Sequence, residues 1–390
     1  MNPTQRLRHI IIRAKGLPLY RELLQGLNPE AVTTENVRAL PLITRDDLID
    51  HFQHDITGGF LKDDVVQMHL TPAPKITRMP EFLTRNDLAW QAEATAAQFA
   101  RCGITADDRC LVVFSYHMLA GGWLFHEGLI RLGATVLPLG PNDAATVAEI
   151  VRSYGFNVLI SNPSFARKIG EAGATVEKLV AAGEPFSAVP GYRKEVQSIL
   201  RCTAFDSYGL SETGVVASET LEHRGLVPIQ EAAVLEVLDP ETHQPVGDGE
   251  KGELVITSLT REGMPILRFR TGDLTMRGST EGKLQLPRGV FGRTDSMVKV
   301  KGVKLYPKEL AFLLAGTAGV DHRHYQLVID HQEGGSDTVI LRVQGEPGTD
   351  IRELSLRIQR ATGIRMNAIV VEEQCAGDLV VDQRFHQDAL

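Results

Sequence analysis

Between about residue 86 and residue 160, short apolar runs alternate with longer amphipathic stretches, and this alternation restricts the fold more than any other feature of the chain. The spacing predicts a helix over 86–102, a strand over 110–114, a Gly-containing helix around 121–132, a strand over 135–139, a helix over 144–154 and a strand over 157–160. Apolar strands that recur after each helix need cover on both faces, so the segment is expected to form a largely parallel sheet between helical layers. Upstream, residues 1 to about 27 have helical apolar spacing. Pro41 closes a second helical stretch, and Thr44 is placed to cap a third, RDDLIDHF.

The pattern changes after about residue 225. Residues 232–238 and 252–257 alternate as antiparallel strands do, on either side of the turn-rich DPETHQPVGDGEKG, and 283–286 adds a short strand. The last hundred residues form another small unit: helix 307–315, strands 325–330 and 338–344, helix 351–362 and strand 367–372. The expected class is α/β, with a large N-terminal α/β domain (1–294) carrying an antiparallel β subdomain, then a small C-terminal α+β domain (295–390). A chain of 390 residues, 43% of them hydrophobic, is sufficient for two cores.

A net charge of −8 argues against a nucleic-acid partner. Cys102, Cys110, Cys202 and Cys375 form no CxxC or Cys/His cluster, which suits a reducing cytoplasm and supports neither a disulfide framework nor structural zinc. No apolar run reaches 18 residues, and the N-terminal MNPTQRLRHIIIRAKG lacks the apolar core of a signal peptide. The expectation is a cytoplasmic chain that spans no membrane.

Four segments carry candidate chemistry. Asp206-Ser-Tyr-Gly-Leu-Ser-Glu-Thr-Gly214 reads as a Gly-punctuated loop whose backbone N–H groups and hydroxyls could meet phosphate and whose carboxylate could hold Mg²⁺; a polar surface turn is the competing reading. In Pro265-Ile-Leu-Arg-Phe-Arg-Thr-Gly-Asp273, a turn at 271–273 could aim one carboxylate at a diol, or Asp273 could simply form the turn. Between Phe291 and Pro307, Arg293 supplies a planar cation and Asp295 sits where a hinge could absorb dihedral change; a basic solvated strand is the alternative. Around Ala182-Gly-Glu-Pro185, a strand end could let its backbone approach a flat ring.

In their order and spacing these segments resemble the adenylate-forming (acyl-CoA ligase) superfamily, and within it the phenylacetate–CoA ligases. Residues 40–48 (LPLITRDDL) look like the opening of that branch, and Gly121-Gly122-Trp123 with 131–138 (RLGATVLP) resembles its next helix and strand. Gly183-Glu-Pro185, Tyr208-Gly-Leu-Ser-Glu212, Arg270-Thr-Gly-Asp273 and Gly292-Arg-Thr-Asp295 follow in the family's order.

The resemblance implies ATP and Mg²⁺ as cofactors, a carboxylic acid as substrate, and CoA or another acceptor for the acyl group. Gly183, Glu184 and Pro185 would lie against adenine, and Asp206, Ser207, Tyr208 and Gly209 would sandwich it and line the acyl site. Ser211 would touch the α-phosphate, Glu212 would hold Mg²⁺, and Asp273 would bind the ribose with Arg293 beside it. Glu212 and Arg293 are thereby the implied catalytic residues, and Asp295 the hinge of a mobile small domain. Tyr116, His117, Gly121, Gly122, Trp123 and Tyr208 are expected to border a pocket for an aromatic acid, with ordinary packing as the alternative for each aromatic. A homodimer is compatible with this branch, although no sequence feature encodes one.

Two family elements are missing. Where a glycine-rich loop ending in Lys would wrap the β- and γ-phosphates, residues 71–80 read TPAPKITRMP, with three prolines and no glycine. Proline removes donors and fixes φ, so the usual convergent nest of N–H groups cannot form, although Lys75, Thr77 and Arg78 could still offer point contacts. The family's C-terminal catalytic lysine also has no counterpart: Asp378 stands near its place and no lysine follows Lys308. The sequence therefore leaves three readings: a ligase of reduced or partial activity, a non-catalytic nucleotide or acyl-adenylate binder acting as sensor, carrier or subunit, and an enzyme that uses preformed acyl-adenylate or acyl-CoA.

Overall fold

In the computed structural model, residues 1–383 are described apart from 72, 74, 75, 77, 295–297, 301, 302, 316, 332–336 and 347. The chain divides into two compact units, one of Met1–Ala188 with Tyr192–Val290, the other of Val189–Gly191 with Phe291–Leu390.

A seven-stranded sheet dominates the first unit, in the spatial order Val227–Pro228, Gly214–Ser218, Thr203–Leu210, Lys178–Ala182, Val158–Ser161, Arg109–Val112, Thr135–Pro138. The five strands from Thr203–Leu210 to Thr135–Pro138 are parallel, and the other two join antiparallel. Period-two alternation sends Cys110, Val112, Val158, Ile160, Val180 and Phe205 into one core. Leu111, Leu159, Leu179 and Ala204 go into another on the opposite face. Both faces are covered, which explains the nearly continuous apolar strands.

Local chemistry sets the helix limits. Arg85–Arg101 begins on a Thr84/Asp87 capping box, and Gly121–Leu132 stops where Gly133 turns left-handed at φ 92°. A second sheet pairs Ile43–Thr44, Phe269–Met276, Lys251–Ser258 and Ala233–Leu238 in that order. A hairpin of Val65–Thr71 and Met79–Thr84 brackets residues 72–78. Among the described residues no helix is long and apolar enough to cross a membrane.

The second unit has a four-stranded sheet in the order Ala368–Glu372, Asp337–Gly345, Val320–His331, Val380–Asp382. Its core includes Leu327, Ile329, Leu341 and Val343 with Leu310, Leu314, Leu354 and Ile358 from two helices.

The structure corrects several expected elements. The first helix is Pro3–Lys15, followed by the single turn Pro18–Arg21, because Gly16 and Leu17 break it ahead of Pro18. The stretch before Pro41 is not helical beyond a 3₁₀ turn at Pro29–Ala31. The predicted helix over 307–315 is a 3₁₀ turn, Pro307–Glu309, running into Leu310–Leu314.

Candidate functional site

The carboxyl ends of the parallel strands open into a cleft of about 290 Å³. Phe114 and Ser115 reach it from the end of Arg109–Val112, Ala182 and Gly183 from the end of Lys178–Ala182, and Ser207, Gly209 and Ser211 from Thr203–Leu210 and the turn beyond it. Ligands of open α/β sheets bind in this position. Gly121, Gly122, Leu124 and Phe125 form the helical wall. Gly122 is required there, since a Cβ would stand 2.5 Å from the Ser115 carbonyl oxygen.

The polar segment read as a loop is mostly strand. Asp206 to Leu210 continue Thr203–Leu210, and only residues 211–213 turn before Gly214–Ser218 returns antiparallel. Gly209 allows the return, because a Cβ there would lie 2.4 Å from the Gly214 carbonyl oxygen.

Three polar side chains along this strand, Asp206, Ser207 and Tyr208, each have a fixed partner. Asp206 is buried and accepts from the Ser187 backbone N–H at 3.0 Å and from the Ser187 hydroxyl. Burial pushes its carboxyl up to about 6, with the Ser187 bonds acting in opposition. Its own N–H donates to Glu219 at 2.8 Å, and Glu219 pairs with Arg193 at 2.5 Å. Ser207 donates to Gln98 Oε1 at 3.0 Å. The Tyr208 hydroxyl donates to Asp273 Oδ2 at 2.7 Å, and burial, then the Asp273 charge, raise the phenol well above its ordinary range.

Asp273 lies within a strand rather than in a turn before one. Gly272 has φ 73° and donates to Glu253 Oε1 at 2.9 Å, and the pairing register shifts opposite this point, between Glu253 and Val255. That irregularity in Phe269–Met276 lets the Asp273 N–H take the Thr271 hydroxyl as acceptor at 2.9 Å.

Glu212 is buried in the turn after Ser211, and Arg45 Nε approaches its carboxylate to 3.6 Å. Close by in the same unit, Arg261 donates to the Ser211 carbonyl at 2.6 Å and faces Glu81 at 3.5 Å. Burial raises the Glu81 carboxyl to about 7 despite the opposing pull of Arg261; the Glu212 charge raises it further.

The remaining expected residues separate into groups. Gly183 borders the cleft at φ 81° and Pro185 is exposed, but Glu184 turns away to accept from the Ser164 N–H and hydroxyl at 3.1 and 2.8 Å, at the start of Pro163–Glu171. Of the aromatic group, Gly121 and Gly122 reach the cleft. The Trp123 indole donates to the Tyr116 carbonyl at 2.8 Å, the two rings meeting edge-on, and Trp123 lines a separate cavity with His69, Gln91 and Glu127. His117 is exposed. Arg293 ends the strand Val290–Arg293 and belongs to the second unit, as does Asp378, whose carbonyl accepts from Gln326 Nε2 at 3.1 Å. Asp295, Lys75 and Thr77 lie outside the described residues.

Sequence reading missed Ser187, Gln98, Arg45, Arg261 and Glu81. Only Arg45 left a trace, as a single charge within residues 40–48.

Comparison with known proteins is consistent with this geometry. Residues 82–260 match the family described as AMP-binding enzyme. Phenylacetate-coenzyme A ligase of Escherichia coli (strain K12) is 30% identical over 360 residues, covering 87% of this chain and 81% of that protein. The enzyme of the same name from Thermus thermophilus is 31% identical over 361 residues, covering 87% and 80%. An open conformation of 2-hydroxyisobutyryl-CoA ligase in complex with 2-HIB-AMP and CoA superposes with a TM-score of 0.80 at 23% identity, over 97% of this chain and 90% of that one, a likeness of fold.

Proposed function

The chain belongs to the AMP-binding enzymes, in the phenylacetate–CoA ligase branch of the adenylate-forming superfamily, and from that premise we propose that it activates an aromatic carboxylic acid with ATP and passes the acyl group to CoA. The observation that carries the reading is the cleft itself. Its walls at Phe114, Leu124, Phe125 and Val215 are apolar, and it ends in Ser211, next to the buried carboxylate of Glu212. An aryl group would be desolvated at one end while its carboxylate meets polar groups at the other.

In the proposed reaction a carboxylate oxygen attacks the α-phosphorus of ATP in line. The new P–O bond replaces the bond to pyrophosphate, which leaves as the anion. The CoA thiolate then attacks the acyl carbon and AMP departs. Gly183 and Pro185 would present backbone and ring to adenine, while Glu184 holds the strand end against its helix. Asp273, oriented by the Tyr208 hydroxyl, would accept from the ribose, and Ser211 would donate to the α-phosphate. A single buried carboxylate suits Mg²⁺, which usually completes its shell with phosphate and water, so Glu212 fits as its protein ligand. When bound, that ion would withdraw charge from the phosphates. Arg293 and a hinge at Asp295, between a large domain (1–294) and a mobile small one, complete the proposal.

Pyrophosphate exchange over a panel of aryl, aryl-acetic and short aliphatic acids tests it. Exchange with an aromatic acid is the expected result, and exchange with none refutes the reading. One observation favours a second reading, a binder without turnover: Asp378 stands near the place of the family's C-terminal lysine. Equal affinity for AMP and ATP, with no product, would establish that alternative.

A further inference from the structure

We propose that Arg261 is a positioning residue for the phosphate end of the site, tying the Ser211–Glu212 turn to the hairpin that brackets residues 72–78. The proposal rests on the nucleotide reading above and adds a residue which that reading does not contain.

Arg261 stands on a clamped platform. The backbone N–H groups of Glu262 and Gly263 donate to the two oxygens of Asp87 at 2.6 and 2.9 Å. The Glu262 carboxylate accepts from Thr84 Oγ1 at 2.7 Å and Asn86 Nδ2 at 2.9 Å. A Cβ on Gly263 would lie 2.6 Å from the Phe82 carbonyl oxygen, so glycine lets the segment press against the hairpin strand. On the other side of Arg261, the Thr260 carbonyl accepts from Gln91 at 3.4 Å. The backbone that carries Arg261 therefore has little room to shift.

From this base the Arg261 side chain, only 2% exposed, makes two contacts through one guanidinium nitrogen: the Ser211 carbonyl at 2.6 Å and Glu81 at 3.5 Å. Glu81 in turn accepts from Thr71 Oγ1 at 2.8 Å, and Thr71 pairs with Met79 where the hairpin opens into residues 72–78. One cation thus joins the turn beside Glu212 to both strands at the base of the altered phosphate segment. Catalysis by charge stabilisation depends on donors held in place beforehand. Residues 72–78, with two prolines and no glycine, supply few donors. More of the burden then falls on the Ser211–Glu212 turn, and Arg261 is what fixes that turn. Both contacts leave from Nη2, at the far end of the side chain, and the ammonium of lysine, one bond shorter, does not reach that position.

The test compares the wild type with R261Q and R261K by titration with ATP plus Mg²⁺ and, separately, with adenosine, which does not reach the phosphate end. For R261Q the expected result is MgATP binding weakened by about tenfold or more, the scale of a lost hydrogen bond from a charged group, with adenosine affinity within about twofold. R261K is expected to recover only part of the loss. Equal weakening of both ligands, weakening of neither, or full recovery in R261K overturns the proposal. If the wild type binds neither ligand, the nucleotide reading has failed, and that titration comes first. If R261Q does not fold, the double variant E81Q/R261M removes the buried cation together with its acidic partner and carries the same comparison.

Discussion

Replacing Glu81 by Gln isolates one buried proton. Glu81 is 1% exposed, and burial carries its carboxyl from an ordinary value of 4.5 to about 7, opposed chiefly by Arg261 and the Thr71 hydroxyl. At about 1.4 kcal/mol per pH unit, the folded chain holds this proton more tightly than the unfolded chain by about 3 kcal/mol. Because the folded value is the higher one, that stabilisation is complete below about pH 4.5 and is lost as pH rises through about 7. Glutamine keeps the shape and cannot titrate, so the stability of the wild type minus that of E81Q should fall by about 3 kcal/mol across this window, most of it between pH 5 and 8. Asp87 and Asp206, both pushed up to about 6 by burial, also lower stability as pH rises, but they are common to both proteins and cancel in the difference. The assay is urea unfolding at pH 5, 6, 7 and 8 followed by tryptophan fluorescence. Trp90 and Trp123 both lie in the first unit, so the signal reports the unit that contains Glu81. A difference that is flat within about 0.5 kcal/mol refutes the reasoning, as does one that grows with pH. The second result would mean that Arg261 keeps Glu81 ionised in the fold.

Tyr208→Phe removes the donor at 2.7 Å from Asp273 and should weaken AMP binding by about tenfold or more, read by titration; unchanged affinity would mean that the hydroxyl does not orient Asp273 for the nucleotide. Gly122→Ala places a methyl 2.5 Å from the Ser115 carbonyl oxygen, a backbone atom that cannot swing aside. It should cost about 1–3 kcal/mol in urea unfolding and raise the KM for the acid more than that for ATP; equal changes in both would remove Gly122 from the acid pocket.

The alternation of strand and helix between 86 and 160 was legible because both faces of the sheet are buried, leaving apolar runs such as Cys110–Val112 and Val158–Ile160 that admit few other interpretations. The motifs were legible for a different reason: Gly209 sits where an added Cβ would meet the Gly214 carbonyl, and Gly272 takes a positive φ beside Asp273, so the backbone itself requires glycine in each. Asp206–Leu210 read as loop because its glycine and hydroxyls are turn-forming residues, yet pairing on both sides draws it into the sheet. Glu184 was assigned to the ligand by its place in a motif, whereas its side chain answers to a helix N-terminus 20 residues earlier in the chain. Arg261, Glu81 and Ser187 were out of reach for a simpler reason. Arg261 meets Glu81 across 180 residues and Ser211 across 50, and no local spacing encodes such meetings.

The missing lysine does not by itself decide between ligase and binder, and the magnitudes show why. One preorganised donor is worth about 10²–10³ in rate, or roughly 3–4 kcal/mol. Enzymes lower barriers by roughly 8–23 kcal/mol relative to the uncatalysed reaction. Removing one such donor leaves most of that range to positioning and to the remaining charges. On the proposed reading those are Ser211, the buried Glu212 and Arg293, with Arg261 holding the Ser211–Glu212 turn in place. The altered phosphate segment bears chiefly on ATP, because adenosine is assigned to other residues, around Gly183, Tyr208 and Asp273. A ligase with both losses should therefore keep its nucleoside affinity and lose turnover by a few orders of magnitude, still above the uncatalysed rate. A binder would share the affinity and show no rate at all. The two readings thus diverge in a slow exchange rate rather than in nucleoside affinity, and a sensitive exchange assay, read beside the AMP-to-ATP affinity ratio, separates them.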